Sequence, residues 1–201
     1  MTATQVTITG IVLAGGRSTR MGQDKASLPF GDETLLSRSI RIVGEVTDDV
    51  LVVGKVASGF SRIVHDQIEH LGPLAGIAAG LSASTSDLNI IVACDMPLIR
   101  PAVLRRLVEL RGDADICVAV VDGQASPLCA VYRTAVASVA QALLDSGERR
   151  AMTLLDRVQT KRVDATVFRD LDPLLESFVS CNTPEAYQQL LIRLKADATS
   201  P

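Results

Sequence analysis

The sequence predicts an α/β domain in which helices flank a mostly parallel sheet, a three-layer, Rossmann-like arrangement. Short apolar runs alternate with amphipathic segments along the chain, which is the pattern of strands alternating with helices. The length of 201 residues, with 47% hydrophobic and 21% charged side chains, suits one compact unit with a sizeable core. We therefore expect a single domain over 1–201, with a frayed tail from about 195.

The strands are predicted where short apolar runs are bounded by glycine or polar residues. The predicted ranges are 6–13, 50–53, 62–64, 89–93, 116–121, 128–132, 160–163 and 178–181. The run 128–132 is predicted to return beside 116–121 as a hairpin.

The helices are predicted from apolar residues spaced three and four apart. The predicted ranges are 34–43, 73–83, 99–110, 134–144 and 184–194. The last helix has the clearest start, because Asn182-Thr183-Pro184-Glu185 combines a polar cap, a first-turn proline and an acid.

Composition and charge exclude several classes of function. A net charge of −3 and an aromatic content of 3% give neither a basic field nor a stacking surface for nucleic acid. No apolar run is long enough to cross a membrane, and the first ten residues lack the pattern of a signal peptide. Partners are therefore expected to be small molecules.

The four cysteines predict a reducing, cytoplasmic environment. Cys94, Cys117, Cys129 and Cys181 lie far apart beside apolar residues, without metal-site or redox-motif spacing. We interpret them as reduced core cysteines. A zinc site with a histidine remains the weaker alternative.

The loop after the first strand carries the strongest functional signal. Its glycines, cations and acid are Gly15, Gly16, Arg17, Arg20, Asp24 and Lys25. Glycines let backbone N–H groups approach a ligand, successive N–H groups form an anion-binding nest, and cations neutralise phosphates. The spacing fits neither the Walker A motif nor the dinucleotide-binding fingerprint. The loop predicts a phosphate site, with a solvated surface turn as the alternative.

Two acids follow predicted strands at the edge where this loop begins. Asp66 and Asp95 come after the third and fourth strands. Ligands of parallel sheets bind at the carboxyl ends of strands, and Mg²⁺ prefers carboxylate and phosphate oxygens. Asp95 is the predicted metal ligand, with a capping role as its alternative. A turn-stabilising role explains Asp66 equally well.

Three further segments allow two interpretations each. The segment 72–76 is either a tight strand-to-helix turn or a close backbone approach to a nucleoside. Arg149 and Arg150 either compensate a helix dipole or bind a second phosphorylated substrate. The hairpin approach 124–128 is expected to border the same cleft.

Five segments, in order, resemble the molybdenum cofactor guanylyltransferases. They are Leu13-Ala14-Gly15-Gly16 with Arg20-Met21-Gly22 and Asp24-Lys25; Asp66 with Gly72-Pro73-Leu74-Ala75-Gly76; Cys94-Asp95-Met96-Pro97; Gly147-Glu148-Arg149-Arg150; and Asn182-Thr183-Pro184-Glu185. The first segment alone is shared by many nucleotidyltransferases, and the combination is far more specific.

The resemblance implies a nucleotidyltransferase (nucleotide-diphospho-sugar transferase) fold and transfer of GMP from GTP to the terminal phosphate of molybdopterin, with Mg²⁺ and release of pyrophosphate. The implied GTP-binding residues are Leu13, Ala14, Gly15, Lys25, Asp66 and Asp95, and Asp95 also binds the metal. Our mechanistic hypothesis adds N–H groups of Gly15 and Gly16 and the charges of Lys25 with Arg17 or Arg20. Lys25, Asp95 and Arg20 are the expected catalytic residues.

The resemblance also leaves alternatives. Leu-Ala-Gly-Gly is similar to the guanine-specific branch, whereas the cytidylyltransferases tend to carry Leu-Ala-Ala-Gly. The chain departs from the family at Gln23, at Val53-Gly54-Lys55, where an asparagine is usual, and at Ser180. A related cytidylyltransferase and a non-catalytic nucleotide-binding module are the rival functions. We also expect the protein to be a cytoplasmic monomer in transient contact with other molybdenum cofactor proteins.

Overall fold

The computed structural model describes residues 6–14, 25–54, 62–64 and 72–199, with side chains up to residue 194. The strands are β1 Ile8–Leu13, β2 Pro29–Phe30, β3 Glu33–Thr34, β4 Asp49–Val53, β5 Ile63–Val64, β6 Leu88–Ala93, β7 Ile116–Val121, β8 Gln124–Arg133 and β9 Thr160–Asp164. The helices are α1 Leu35–Gly44, α2 Pro73–Ala83, α3 Pro101–Arg111, α4 Ala137–Asp145, α5 Ala151–Leu155 and α6 Pro184–Thr199.

Seven strands form one sheet in the order β5-β4-β1-β6-β8-β7-β9. Only β8 runs antiparallel to its neighbours, as the return strand of the predicted hairpin with β7. Side chains of β1 alternate between two buried clusters, with Val12 in one and Ile11 and Leu13 in the other. A sheet that is buried on both faces needs a helical layer on each side. The predicted three-layer fold is confirmed.

The ends of four parallel strands lie at one edge of this sheet. Leu13 pairs with both Val53 and Ala93, and Val64 pairs with Val53. Just beyond, the N–H of Cys94 donates to the Leu13 carbonyl at 3.0 Å. The carboxyl ends of β1, β4, β5 and β6 therefore lie side by side.

Two predicted helix starts are confirmed by their caps. Thr34 Oγ1 accepts a hydrogen bond from the Ser37 N–H at 3.1 Å, and Thr183 Oγ1 accepts one from Ala186 at 3.2 Å. Polar side chains at these positions satisfy N–H groups that have no partner within the helix. Among the described helices, none combines the length and apolar character needed to cross a membrane.

The strand predicted at 178–181 is wrong. Glu176–Phe178 forms a 3₁₀ turn, and the Cys181 N–H donates to the Asp95 carbonyl at 2.8 Å instead of joining the sheet. An apolar run predicts burial, but β9 already occupies the place beside β7. The prediction also missed α5 and the β2–β3 pair, which are too short for periodicity to reveal. The final helix continues to Thr199, beyond the predicted end at 194.

Candidate active site

Asp95 and Lys25 meet at the carboxyl end of the central strands. Asp95 follows β6, and its Oδ2 lies 3.1 Å from the Nζ of Lys25, which opens the 3₁₀ turn Lys25–Ser27. Both side chains are largely buried, with 18% and 20% exposed. An ion pair gains strength where solvent is partly excluded. The structure thus brings together two predicted site residues that are 70 positions apart.

Asn182 completes this group of side chains. Its Oδ1 accepts a hydrogen bond from Lys25 Nζ at 2.8 Å, and its Nδ2 donates to Ser180 Oγ at 2.7 Å. The backbone link from Cys181 to the Asp95 carbonyl holds this segment beside β6. Sequence reasoning assigned Asn182 to a helix start and missed its contact with Lys25. Its signals in the sequence were the polar position before the Thr183 cap and its place in the last of the five segments that resemble the family.

The buried thiol of Cys181 is not a nucleophile in this site. Burial, with a further contribution from the nearby Asp95 charge, raises the pKa of Cys181 to about 11. The thiolate is the reactive form of cysteine, so the group stays protonated and inert near neutral pH.

Asp95 and Asn182 line a cleft of about 580 Å³. Its remaining lining residues are Gly72, Pro73, Ala93, Met96, Ala125, Ser126, Pro127, Leu128, Arg149, Arg150, Ala151, Met152, Phe178 and Ser180. This volume lies within the range of small-ligand sites, and its mostly apolar wall with a few polar groups is typical of them.

A bulge in β8 forms part of the cleft wall. The pairing with β7 jumps from Ala130 to Ala125, so residues 126–129 leave that ladder. The Tyr132 hydroxyl donates to the Pro127 carbonyl at 2.8 Å and holds the bulge. Burial raises the pKa of Tyr132, so its hydroxyl remains a neutral donor. Bulges often re-aim residues beside active sites, and the predicted location of 124–128 at the cleft is confirmed for 125–128.

The segment 147–150 is organised by one carboxylate. Glu148 accepts hydrogen bonds from the N–H groups of Arg149 and Arg150 at 2.8 and 3.0 Å and from Thr153 Oγ1 at 2.7 Å. The Arg150 guanidinium also donates to Glu148 and, with these bonds, lowers its pKa. Arg149 Nη1 donates to the Leu144 carbonyl at 2.9 Å. Leu144 lies in the last turn of α4, so this contact agrees with the interpretation of Arg149 as a cation at a helix end. The Arg150 side chain is 78% exposed at the cleft and is accessible to a ligand.

Gly72 allows the start of α2 to approach this segment. Its φ of +77° and ψ of −178° lie in a region that is essentially restricted to glycine. A Cβ at Gly72 would lie 2.9 Å from the Arg149 carbonyl oxygen. Close packing against Arg149 explains the first glycine of the segment 72–76, and the chain between β5 and Gly72, which the predicted strand-to-helix turn includes, lies outside the described residues.

Gly72→Ala is expected to destabilise the protein by about 1–3 kcal/mol, because the alanine is strained and collides with the Arg149 backbone. Urea unfolding measures the change. Gly44→Ala is the matched control: the added Cβ makes only an ordinary van der Waals contact, 4.0 Å from Val50 Cγ2, in a helix, and about 0.4–1 kcal/mol of stabilisation is expected. Equal stability of Gly72→Ala and the native chain would contradict the role assigned to Gly72.

The donor atoms of the cleft fit a divalent cation shared with a substrate. Asp95 is the one carboxylate of the described residues that lines the cleft, and those residues contain no cluster of three or more metal-ligating side chains. Mg²⁺ is commonly bound by one or two carboxylates together with phosphate oxygens. A single carboxylate of this kind fits a cation that is also bound by oxygen atoms of a ligand.

The other predicted site residues divide into two groups. Gly15, Gly16, Arg17, Arg20 and Asp66 lie outside the described residues. Leu13 and Ala14 are buried at the end of β1, at the same sheet edge. The Ala14 N–H donates to the Val53 carbonyl at 2.8 Å and is not free for a nucleotide.

Residues 10–163 match the family described as the MobA-like NTP transferase domain. The chain belongs to this family. The match runs from β1 to β9 and includes both Lys25 and Asp95. Asn182 lies outside the matched range, in the segment that precedes α6.

Curated relatives agree with this family membership. A probable molybdenum cofactor guanylyltransferase from Pelotomaculum thermopropionicum is 33% identical over 180 residues, covering 88% of each chain. Another from Chloroflexus aggregans is 32% identical over 188 residues, covering 89% of this chain and 90% of the relative. The resemblance read from the sequence motifs is confirmed.

Solved structures confirm the nucleotidyltransferase fold. Molybdopterin-guanine dinucleotide biosynthesis protein A from Archaeoglobus fulgidus superimposes with a TM-score of 0.83 at 22% identity, covering 94% of this chain and 99% of that one. A manganese complex of Rv0371c from Mycobacterium tuberculosis H37Rv has a TM-score of 0.61 at 20% identity, covering 92% and 98%. Both solved structures thus share the overall fold of this chain.

Proposed function

We propose that the protein transfers GMP from GTP to the terminal phosphate of molybdopterin, which releases pyrophosphate and forms molybdopterin guanine dinucleotide. The observation that carries the proposal is the meeting of Lys25 with Asp95 and Asn182, which both line a cleft at the carboxyl end of the parallel strands. That edge is where α/β sheets bind their ligands. The names of relatives at about 30% identity over most of the chain support the substrate pair.

Lys25 and Asp95 form the described part of the proposed GTP site. Asp95 would hold Mg²⁺, and the manganese complex of a structural neighbour supports a divalent cation at this fold. When bound, such an ion neutralises phosphate charge. The proposed remainder is the backbone around Leu13 and Ala14, the N–H groups of Gly15 and Gly16, the side chain of Asp66 and the charge of Arg20 or Arg17.

The rest of the cleft suits an acceptor that has a flat ring system, whose faces can pack on apolar side chains, and a phosphate. Leu128, Met152 and Phe178 provide an apolar wall, and methionine adapts its shape to a flat ring. The exposed Arg150 guanidinium, whose Nε and Nη2 donate to Glu148, brings a planar positive charge to the cleft for a phosphate. We propose that these residues bind molybdopterin.

The proposed reaction needs positioning and charge neutralisation more than covalent help. An oxygen of the acceptor phosphate attacks the α-phosphorus of GTP in line, and the bond from that phosphorus to the oxygen bridging to the β-phosphate breaks. The electron pair of that bond leaves with pyrophosphate. Lys25, steadied by Asn182, supplies a fixed positive charge beside the phosphates.

Incubation of the protein with GTP, Mg²⁺ and molybdopterin tests the proposal. We expect a product with the mass of molybdopterin guanine dinucleotide and one pyrophosphate per product, both dependent on the metal. Competing CTP and ATP measure the choice of base. A preference for CTP would favour the cytidylyltransferase, and GTP binding without pyrophosphate release would favour a non-catalytic module.

We also propose that the enzyme works as a cytoplasmic monomer in transient contact with other molybdenum cofactor proteins. The four cysteines are buried thiols, which agrees with a reducing compartment.

A further inference from the structure

Two buried carboxylates lie in the segment between β9 and α6, outside the groups that would touch substrates. Asp172 is fully buried and Glu176 is 7% exposed. Burying a carboxylate is costly unless a cation or hydrogen-bond donors compensate it. The proposed reaction uses neither carboxylate, so their place in the fold needs another explanation.

Arg100 is the partner that these acids share. Its Nε lies 3.6 Å from Asp172 Oδ1 and its Nη2 lies 3.9 Å from Glu176 Oε2. The 3.6 Å contact exceeds hydrogen-bond range, and Asp172 Oδ1 has no hydrogen-bond donor among the described residues. Asp172 Oδ1 and the Arg100 guanidinium therefore interact as an ion pair without a direct hydrogen bond.

Hydrogen bonds strengthen the same link. The Arg100 N–H donates to Ser177 Oγ at 3.0 Å, and Arg100 Nη1 donates to the Leu171 carbonyl at 3.0 Å. The Ser177 N–H in turn donates to Asp172 Oδ2 at 2.7 Å. Arg100 thus joins the segment 95–100 to the segment 171–177.

Both segments lead directly to the proposed site. The first begins at Asp95, and the second continues to Asn182, whose amide holds Lys25. The second segment belongs to neither the sheet nor a long helix. It contains Leu175 at φ +56° and ψ +34°, a left-handed conformation that leucine adopts only where its surroundings impose it. The Arg100 network supplies such surroundings.

We propose that Asp172 and Arg100 are positioning residues that set the distance between Asp95 and Asn182 and so hold Lys25 between them. The link acts as one unit with the hydrogen bond from the Cys181 N–H to the Asp95 carbonyl. The effect on catalysis rests on the proposed function. The physical link between the two segments is independent of it.

Asp172→Asn tests the link, because it removes the charge and keeps the size. We expect kcat for GMP transfer to fall by about 10-fold or more, since small displacements of a reacting group are costly, while KM for GTP stays within about threefold. Amide hydrogen exchange at Cys181 should accelerate. Assays run well below each variant's unfolding temperature separate positioning from loss of folded protein.

Arg193→Met is the matched control. It removes a guanidinium that contacts Glu176 at 3.2 Å, and it leaves the contacts of Arg100 in place. We expect native kcat and native exchange at Cys181. If Asp172→Asn fails to fold, Ser177→Ala is tested instead. The Ser177→Ala variant lacks the acceptor of the Arg100 N–H, so we expect the same fall in kcat and the same faster exchange at Cys181.

Native kcat and native Cys181 exchange in the folded Asp172 or Ser177 variant would overturn the inference, as would an equal loss of kcat in Arg193→Met. If the unaltered protein made no dinucleotide product, the proposed function would fail by itself. Faster exchange at Cys181 in Asp172→Asn alone would then still support the link.

Discussion

Lys25→Ala is expected to lower kcat for GMP transfer by about 100- to 1,000-fold, the usual cost of removing one preorganised charge-stabilising group. Lys25 supplies a fixed positive charge, held at 3.1 Å by Asp95 and at 2.8 Å by Asn182. Alanine leaves the developing phosphate charge without this partner. Steady-state kinetics measure the loss, and thermal unfolding verifies that the fold is retained.

Lys161→Ala is the control for this variant, because Lys161 is an exposed lysine on the edge strand β9. Its kcat should equal that of the native chain. Native turnover in Lys25→Ala would remove Lys25 from the catalytic group and with it the central contact of the proposed site.

Asp95→Asn is expected to lower kcat by about 100-fold or more and to abolish the response to divalent metal, because Mg²⁺ strongly prefers a charged carboxylate. The amide is nearly the same size, so β6 and the Cys181 contact should be retained. Mn²⁺ binding in the presence of GTP, followed by electron paramagnetic resonance, reports the metal directly. The native chain should bind Mn²⁺ with GTP, and the variant should bind it much more weakly.

Asp113→Asn provides the comparison for charge, since Asp113 is exposed in the turn after α3. It should retain native kcat and Mn²⁺ affinity. Equal Mn²⁺ affinity in Asp95→Asn and the native chain would show that the metal is held elsewhere.

The sequence predicted the sheet well because strand and helix periodicity are local properties. The apolar runs at β1, β4, β6 and β7 and the caps at Thr34 and Thr183 needed no tertiary information. The run 178–181 shows the limit of that reasoning. Apolar composition indicates that a segment is buried, and the neighbours available in the sheet decide whether it becomes a strand.

Half of the site followed from topology. Parallel strands with helical crossovers deliver the residues after β1 and β6 to one edge, so Lys25 and Asp95 were expected together. Asn182 was not, because it is separated from Lys25 by 157 positions and reaches it from outside the sheet. A single asparagine before a helix cap is common and carries no functional signal of its own.

The sequence by itself determined the α/β class and the family, and it predicted Lys25 and Asp95 as charged site residues. Local spacing and short motifs encode these features directly. Only the tertiary structure decided that Asn182 holds Lys25, that Arg149 binds a helix end while Arg150 remains exposed, and that Arg100 joins Asp172 to the loop after Asp95. Contacts of this kind depend on distances between segments remote in sequence, which are set when the sheet and helices pack together.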